Sequence, residues 1–274
     1  MNGRPQGGEA DWPGRGLLSD LATCLRFYSR LPVPRLPGED DPHAAPDFRR
    51  APRMLPAAGL ILALPAALTL LAAWKLGLGP FLAAGLALAV AVLVTGALHE
   101  DGLADVADGL GGATRVRRLE IMRDSRVGTY GATALVITLA LRMGALATLL
   151  DRAGAAAAVA LVLAASLSRV AALAPMMLLG PARPGGLGAA VGRPEAATLW
   201  IALGFGAILA VLALPFGLPV SGILAMIVLG GLAALGMTRL AAEKLGGQTG
   251  DVVGACQQVA EIAGLLGLIA CLPA

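Results

Sequence analysis

The segment ALHEDGLADVADGLGG contains the residues whose types and spacing most strongly indicate chemistry. Asp101, Asp105 and Asp108 are spaced i, i+4 and i+7, so their side chains fall on one face of a helix. Like charges in this arrangement repel one another, but Mg²⁺ offsets the repulsion because it binds carboxylate oxygens and keeps room for substrate phosphate. Gly102 and Gly109 leave the same face open to a bulky phosphorylated ligand. The spacing predicts a magnesium site; the alternative is a solvated helix end that marks a membrane boundary.

A basic loop follows the acidic segment, with the sequence RVRRLEIMRDSRVGTYG. Arg123 and Arg126 lie on either side of Asp124, and the planar guanidinium group of arginine suits bidentate binding of phosphate oxygens. Membrane topology alone also favours arginines in a loop of this kind. Two roles stay open for Asp124, which is either a further metal ligand or the partner of an arginine.

The segment GGQTGD, Gly246–Asp251, joins glycine-rich backbone to the start of a predicted helix. Free N–H groups and the helix dipole favour an anion there, so Gly247, Gln248 and Thr249 are candidate phosphate-binding residues. Asp251 would repel a phosphate unless a metal ion lay between them, and it is a candidate catalytic residue. The alternative is that Thr249 or Asp251 only caps the helix.

Three charged residues, Arg142, Arg169 and Glu261, lie inside long apolar stretches of the chain. Charged side chains inside a membrane are costly, and they normally face a polar interior or one another. One interpretation is mutual pairing that holds a helix bundle together, and the other is contact with a substrate.

The chain that carries these residues has the composition of a membrane protein. Of its 274 residues 57% are hydrophobic and 14% are charged, whereas about a quarter of the residues in a soluble domain are charged. The pattern is helical, without the short alternating segments of a β-barrel. We therefore predict an all-α, polytopic membrane helix bundle with six or seven transmembrane helices. Seven apolar windows define the spans: Met54–Trp74, Gly79–Leu98, Gly128–Leu150, Gly154–Leu179, Ala197–Phe216, Pro219–Met237 and Val253–Leu272.

The positive charges predict the orientation of this bundle in the membrane. Most arginines, Arg183 among them, lie before the first span or in the loops after the second, fourth and sixth spans. The opposite loops contain only Lys75 and Arg152. By the positive-inside rule the arginine-rich loops, and with them every motif above, are cytoplasmic. This distribution accounts for the net charge of +3 without a nucleic acid as partner.

The N-terminal region is predicted to differ from the rest of the chain. Leu17–Leu31 has apolar residues at helical spacing, which predicts an amphipathic helix at the cytoplasmic interface that ends before PVPRLP. Residues 1–16 are polar and are predicted to be disordered. Residues 17–274 are then a single membrane-embedded domain.

The phrase HEDGLADVADGLGG resembles the H-x-D-G-L-A-D-x-x-D-G signature of the cobalamin synthase family, the adenosylcobinamide-GDP ribazoletransferases. The resemblance extends from about Asp20 over nearly the whole chain, in several blocks in the same order. The further blocks are FYSRLPVP at Phe27–Pro34, RRLEIMRDSRVGTYG at Arg117–Gly131, SR at Ser168–Arg169 and LGGQTGDVVGA at Leu245–Ala255. One departure is Glu100, a position at which this family usually has an apolar residue.

The resemblance implies the final assembly step of cobalamin biosynthesis, catalysed with Mg²⁺ at the cytoplasmic face of a bacterial inner membrane. A ribose hydroxyl of α-ribazole, or of its phosphate, attacks the cobinamide-bearing phosphate of adenosylcobinamide-GDP, and GMP leaves. Catalytic and metal-binding roles are implied for Asp101, Asp105 and Asp108, a catalytic role for Asp251 and a metal role for Asp124. Asp108 or Asp251 would accept the proton of the hydroxyl. Substrate-binding roles are implied for Arg30, Arg123, Arg126, Arg169, Gly247, Gln248 and Thr249.

Two other functions share part of this pattern. A CDP-alcohol phosphotransferase also uses aspartates, but it requires Ala-Arg after the first Asp-Gly pair, where this chain has Ala104 followed by Asp105. A cation transporter would carry its acidic residues near the middle of the membrane. Here they lie at a boundary, beside arginines.

Overall fold

The structure is a computed structural model, and it describes residues 15–37, 46–184 and 192–273. Within these ranges the secondary structure is helical and contains no β-strand, which confirms the predicted all-α class. The predicted disorder of residues 1–16 falls almost wholly on residues 1–14, which lie outside the described residues. The assignment of residues 17–274 to one domain stays a prediction.

The helices are numbered here in chain order through the described residues. Two short 3-10 turns, Ala51–Met54 and Leu214–Phe216, accompany them. The α-helices are α1 Arg15–Tyr28, α2 Leu55–Lys75, α3 Gly79–Thr95, α4 Leu98–Leu110, α5 Arg115–Ile121, α6 Thr129–Ala153, α7 Ala156–Ala171, α8 Leu173–Leu178, α9 Ala196–Ala213, α10 Val220–Lys244 and α11 Gly250–Ala270.

Six helices are long and apolar enough to cross a membrane, and a bent pair raises the number to as many as seven. The six are α2, α6, α7 continued by α8, α9, α10 and α11, and the bent pair is α3 with α4. The predicted number of spans is therefore confirmed. The spans differ from the predicted windows mainly at their ends, since α10 continues to Lys244, beyond the expected end at Met237.

The acidic segment is a separate helix, not the end of the second span. Gly96 and Ala97 interrupt the chain with φ values of 65° and 59°, and α4 leaves α3 at an angle of 89°. Glycine adopts this left-handed conformation freely, whereas for alanine it costs about 1–2 kcal/mol. The apolar α3 thus ends at the bend, and α4, with its four carboxylates, follows beyond it.

The alanine-rich helices pack closely around α7 and α11. Over an 18-residue stretch of each helix, 72% of the span that contains α7 and 67% of α11 are buried inside the protein, against 22% for α9 and 28% for α10. Ala66, Ala84, Ala87, Ala157 and Ala160 have no exposed surface. Small side chains such as these let helix backbones approach one another. Because α7 and α11 are central, their polar residues face the interior of the protein.

The N-terminal helix packs against the bundle with its apolar face. Cys24 is fully buried and Tyr28 is 6% exposed, in a cluster that also contains residues of the 3-10 turn and of α2. The Nε atom of Arg53 lies 2.6 Å from an oxygen of Asp20 and connects α1 with the turn before α2. The predicted helix is confirmed, although it ends at Tyr28 instead of Leu31. Its position at the membrane interface stays a prediction.

Candidate active site

The loops that the arginine distribution predicted to share one face meet at one end of the bundle. Arg115, at the start of α5, donates to the backbone oxygens of Ala182 at 2.9 Å and Gly246 at 3.4 Å. Arg118 donates to the oxygen of Lys244 at 3.1 Å. The segments after α4, α8 and α10 are therefore in contact, and the motifs chosen from the sequence lie together.

Four aspartates come together at this end of the bundle, three from α4 and one from α11. Asp105 is half-buried, and its pKa is raised to about 7, first by burial and then by Asp101, Asp251 and Asp108 in that order. Asp101 and Asp251 line one cavity, and Asp105 and Asp108 follow Asp101 on the same face of α4. The predicted acidic face of α4 is thus present, and Asp251 joins it.

Glycines allow α4 and α11 to approach each other at this point. A β-carbon on Gly102 would lie 2.8 Å from the backbone oxygen of Asp251 and 3.0 Å from its Cα atom. On α11, a β-carbon on Gly254 would lie 3.3 Å from the Cα atom of His99. Gly102 therefore allows α4 and α11 to pack closely, which places Asp251 beside the acidic face. It does not leave the open space that we predicted for a ligand.

Asp108 has a structural partner that sequence reasoning missed. Its two carboxylate oxygens accept the backbone N–H groups of Gly128 at 2.7 Å and Gly131 at 2.8 Å, at the start of α6. An anion at a helix N-terminus is favoured by the unpaired N–H groups and the helix dipole. Because an ionised carboxylate has about four lone-pair sites, Asp108 keeps acceptor capacity for a further ligand.

Arg183 is a second residue that the sequence analysis did not select for the site. Its guanidinium group donates to Oδ2 of Asp251 at 3.3 Å and to the backbone oxygen of Leu119 at 3.2 Å. It also lowers the pKa of Asp105, against the stronger effects of burial and the other aspartates. In the sequence Arg183 is one of several loop arginines, and no spacing connects it with Asp251.

The glycine-rich loop is arranged differently from the predicted phosphate cradle. The N–H group of Gln248 donates to Gly180 at 2.9 Å, and the N–H group of Gly247 donates to Ala241 at 3.4 Å. Thr249 caps α11, because its hydroxyl oxygen accepts the N–H group of Val252 at 3.2 Å. The capping alternative is thus confirmed for Thr249. The N–H groups of Gly247 and Gln248 are not the free donors that we expected, since protein oxygens already accept them.

The two arginines that we predicted to bind phosphate are exposed in the basic loop. Arg123 and Arg126 are exposed, and Arg126 forms a bidentate pair with Asp124, with Nη2 2.6 Å from Oδ2 and Nε 3.0 Å from Oδ1. These hydrogen bonds lower the pKa of Asp124 to about 2. Of the two roles left open, the structure shows Asp124 as an arginine partner. A metal-binding role for it stays a prediction.

Arg30 lies at the bend between α3 and α4. Its backbone N–H group donates to the oxygen of Val94 at 2.8 Å, and a β-carbon on Gly96 would lie 2.5 Å from its Nε atom. Its side chain, which is exposed, therefore passes over the bend that starts the acidic helix. Contact with substrate stays a prediction for Arg30.

The buried charges Arg142 and Glu261 pair with each other and with Glu100. The distances from Arg142 nitrogens to the nearest carboxylate oxygens are 2.8 Å for Glu100 and 2.9 Å for Glu261. Gln257 and Gln258 extend this network to both glutamates. The pairing interpretation is confirmed for Arg142 and Glu261 but not for Arg169, and Glu100 faces the interior of the bundle instead of the acidic face.

Arg169 is a buried residue in the last turn of α7. It donates to the backbone oxygen of Ala165 at 2.7 Å, and its Nε atom has no hydrogen-bond partner among the described residues. It lines a cavity of about 40 Å³ together with His99 and Gln257, but not the cavity that contains Asp101 and Asp251. A direct contact of Arg169 with substrate stays a prediction.

Two other cavities differ in their relation to the aspartates. One, of about 150 Å³, is lined by Asp101, Asp251 and Gln248 together with aromatic residues. The other, of about 350 Å³, is an apolar groove among α7, α8, α9, α10 and α11, and none of the predicted site residues lines it. The smaller cavity is the one that continues the acidic site.

The donor set fits a magnesium ion that is bound together with a phosphorylated ligand. Within residues 15–37, 46–184 and 192–273, no three acidic, histidine or cysteine side chains converge closely enough to hold a metal alone. Mg²⁺ is normally bound through one or two carboxylates, several waters and substrate phosphates instead of an all-protein cage. The oxygens of Asp101, Asp105, Asp108 and Asp251 are donors of the right chemistry.

Comparison with known proteins places this site in a family. The model of the family described as cobalamin-5-phosphate synthase matches residues 20–269. An adenosylcobinamide-GDP ribazoletransferase from Azorhizobium caulinodans is 50% identical over 92% of this chain and 96% of its own length. Proteins of the same name from Xanthobacter autotrophicus and Bradyrhizobium diazoefficiens are 48% and 45% identical, over 92% of this chain and 96% and 94% of their own lengths.

No solved structure matches the chain. The resemblance read from the motifs is confirmed by the family match and by these relatives. The chain belongs to the cobalamin-5-phosphate synthase family.

Proposed function

We propose that the chain transfers the cobinamide-phosphate group of adenosylcobinamide-GDP to α-ribazole, or to α-ribazole phosphate, and releases GMP. Relatives of this name match the chain over nearly their whole length. The structural observation that carries the proposal is the meeting of Asp101, Asp105 and Asp108 with Asp251 at one end of the bundle. Carboxylates gathered in this way suit the binding of a diphosphate through a divalent cation.

The cation that we propose is Mg²⁺, which one or two of the carboxylates of Asp101, Asp105, Asp108 and Asp251 would hold together with phosphate oxygens of the substrate. When bound, Mg²⁺ would neutralise negative charge on the diphosphate and on the departing GMP. Its binding would also relieve the repulsion that raises the pKa of Asp105.

Arginines supply the remaining positive charge in this proposal. Arg123 and Arg126 are exposed in the loop before α6, whose first turn is held by Asp108, so they can reach a diphosphate that is bound over α4. Arg183 adds a further guanidinium group beside Asp251. The bidentate geometry of arginine suits phosphate oxygens, and the Arg126–Asp124 pair is exposed and can exchange its partner at little cost.

The proton of the attacking hydroxyl needs an acceptor, and we assign it to Asp251. Both oxygens of Asp108 already accept backbone N–H groups at the start of α6, so its role there is to hold the two helices together. In Asp251 the hydrogen bonds from Thr249 and Arg183 both go to Oδ2, which leaves Oδ1 for the hydroxyl. A general base must lie within hydrogen-bond reach of the proton that it accepts.

We place this site at the cytoplasmic face of the inner membrane. The arginine-rich loops that meet around the aspartates are the cytoplasmic ones by the positive-inside rule. The loops at the other end carry Lys75 and Arg152. A diphosphate substrate made in the cytoplasm would then reach the site without crossing the bilayer.

The proposed function is tested with the detergent-solubilised protein, adenosylcobinamide-GDP, α-ribazole and Mg²⁺. We expect GMP and the cobalamin product in equal amounts, and no GMP when α-ribazole is omitted. The same assay with α-ribazole phosphate measures which acceptor is preferred. Release of GMP without a joined product would instead indicate a hydrolase, and turnover of a CDP-linked lipid would indicate a CDP-alcohol phosphotransferase.

A further inference from the structure

The cavity of about 150 Å³ beside the aspartates has walls of two chemical kinds. α1 and the segment before α2 contribute Phe27, Tyr28 and Phe48, and α4 and α11 contribute Asp101 and Asp251. The cavity therefore joins an aromatic chamber to two of the carboxylates of the acidic site. The diphosphate chemistry described above makes no use of the aromatic residues.

The aromatic rings are packed against one another and form a rigid surface. The rings of Tyr28 and Phe48 are nearly parallel, with centroids 6.1 Å apart, and Tyr28 is also parallel to the ring of His99 at 5.7 Å. Phe27 meets Tyr28 and Phe48 edge-on at 4.8 Å and 4.9 Å. Tyr28 and Phe48 are 6% and 4% exposed, so surrounding residues hold both rings in place.

The size of the cavity suits one flat ring system and not a whole substrate. Pockets for complete drug-sized ligands have volumes of about 300–1,000 Å³, and this cavity is about 150 Å³. A planar heterocycle gains favourable contact with aromatic rings that line a cavity, and Phe27 is the one of the three rings that is only partly buried. The charged groups that line the cavity are Asp101 and Asp251, which lie on the helices of the acidic site.

We propose that this chamber binds the flat, apolar aromatic base of the ribazole substrate and thereby places its ribose next to Asp101 and Asp251. The proposal rests on the proposed function and adds to it the subsite that selects the acceptor. With the base in the chamber, the reacting hydroxyl lies on the side of the carboxylates, where Asp251 can accept its proton. The residues that select the base are Phe27, Tyr28 and Phe48.

The apolar walls argue against guanine, the other aromatic base in the reaction. The edge of guanine carries several hydrogen-bond donors and acceptors, and burial of such groups without partners is costly. At the aromatic end of the cavity Phe27, Phe48 and Met176 offer none, and the polar lining residues His99, Asp101, Gln248 and Asp251 belong to α4 and to the segment at the start of α11. A base with fewer polar groups on its edge loses less on burial, so the chamber favours the ribazole base over the guanine of the donor.

The test uses the full-length protein in detergent and two measurements. Equilibrium dialysis measures the binding of α-ribazole alone, and GMP release measures KM for each substrate separately. Replacement of Phe48 by leucine keeps the site apolar but removes one of the aromatic walls of the cavity, so we expect the Kd and KM for α-ribazole to rise at least about fivefold. KM for adenosylcobinamide-GDP should change less than twofold. Phe27→Leu provides a second variant if the first does not fold.

The matched control is Phe81→Leu, the same replacement at a residue of α3 that is 60% exposed, and it should leave both KM values unchanged. A rise in KM for adenosylcobinamide-GDP instead would show that the chamber holds guanine and would overturn the proposal. Unchanged Kd and KM for α-ribazole in Phe48→Leu and Phe27→Leu would also overturn it. A wild-type protein that binds α-ribazole but releases no GMP would instead contradict the proposed function and leave the subsite intact.

Discussion

Arg183 donates a hydrogen bond to Asp251 across 3.3 Å, and this pair connects the segment after α8 with the first turn of α11. The same guanidinium group reaches the backbone oxygen of Leu119 in α5, so one arginine joins three segments around the acidic site. It contributes positive charge where four carboxylates meet. The pair therefore fixes both the position and the electrostatic balance of the proposed catalytic base.

The raised pKa of Asp105 predicts a pH-dependent rate. Its pKa is about 7 instead of 3.8, because burial and then the charges of Asp101, Asp251 and Asp108 disfavour the ionised form. The carboxylate is thus mostly protonated below pH 7 and mostly ionised above it, and only the ionised form binds a cation. At low Mg²⁺ the rate of GMP release should rise between pH 6 and pH 8 with a midpoint near 7.

The midpoint of this pH dependence should shift when the charged neighbours of Asp105 are replaced. Asp101→Asn removes the largest of the neighbouring charge effects and should shift the midpoint to lower pH, whereas Arg183→Gln should shift it to higher pH. More Mg²⁺ should also lower it, because the cation favours the ionised form. A rate that does not vary between pH 6 and pH 8 at low Mg²⁺ would contradict this assignment.

Gly131 is predicted to be essential for the position of Asp108. A β-carbon there would collide with Oδ2 of Asp108 and would lie 3.0 Å from the backbone oxygen of Ala104, so Gly131→Ala should separate α4 from α6. We expect a loss of GMP release of about 10-fold or more, as for other residues that orient metal ligands. Gly144→Ala in the same helix is the control, because a β-carbon there meets nothing within 4 Å. Equal activity of the two variants would refute the role of Asp108 at the start of α6.

Gly247 is predicted to hold two loops together by its lack of a side chain. A β-carbon would lie 2.6 Å from the oxygen of Gly180 and 2.7 Å from the nitrogen of Ala182, where the two segments are hydrogen-bonded side by side. Gly247→Ala should force these segments apart, move Arg183 away from Asp251, and lower both thermal stability and activity. Gly250→Ala, three residues later, meets nothing within 4 Å and should be tolerated. If thermal unfolding of the two variants does not differ, the contact has no structural importance.

Arg142 is predicted to be important for folding and not for chemistry. Its removal leaves Glu100 and Glu261 buried without the arginine that is hydrogen-bonded to both, which costs about 3–5 kcal/mol in comparable cases. Arg142→Leu should therefore unfold at a markedly lower temperature in detergent. The combined replacement Arg142→Leu, Glu100→Leu and Glu261→Gln should recover most of that loss, because it removes the unpaired charges. A single variant as stable as the wild type would show that the network carries little energy.

Local patterns in the sequence were sufficient for the spans and for the acidic face. Apolar windows of about 20 residues, with at most one charged residue each, correspond to the helices because each span must be largely apolar along its own length. The i, i+4, i+7 spacing placed Asp101, Asp105 and Asp108 on one face because α4 is a regular helix. The cost of isolated charges in a membrane made the pairing of Arg142 with Glu261 one of two interpretations, and the structure shows it.

Contacts between segments that are far apart in the sequence could not be predicted from these local patterns. The bend at Gly96 and Ala97 separates α4 from the span that precedes it, and an alanine in a left-handed conformation has no sequence signal. The partners of Asp108 lie 20 and 23 residues further along the chain, and Arg183 is 68 residues before Asp251. The aromatic chamber joins Phe48 to residues of α1, α4 and α11, and only the packing of these elements creates it.

The central claim is that the carboxylates around Asp105 act through a divalent cation on the diphosphate of the substrate. The most direct measurement is the initial rate of GMP release at pH 8 as a function of Mg²⁺ concentration, for the wild type and for Asp105→Asn. We predict a saturable dependence on Mg²⁺ and no activity in EDTA for the wild type. Asp105→Asn should lose more than about 100-fold of the rate while it remains inserted and folded. Near-normal activity of Asp105→Asn, or a wild-type rate that is unchanged in EDTA, would contradict the account.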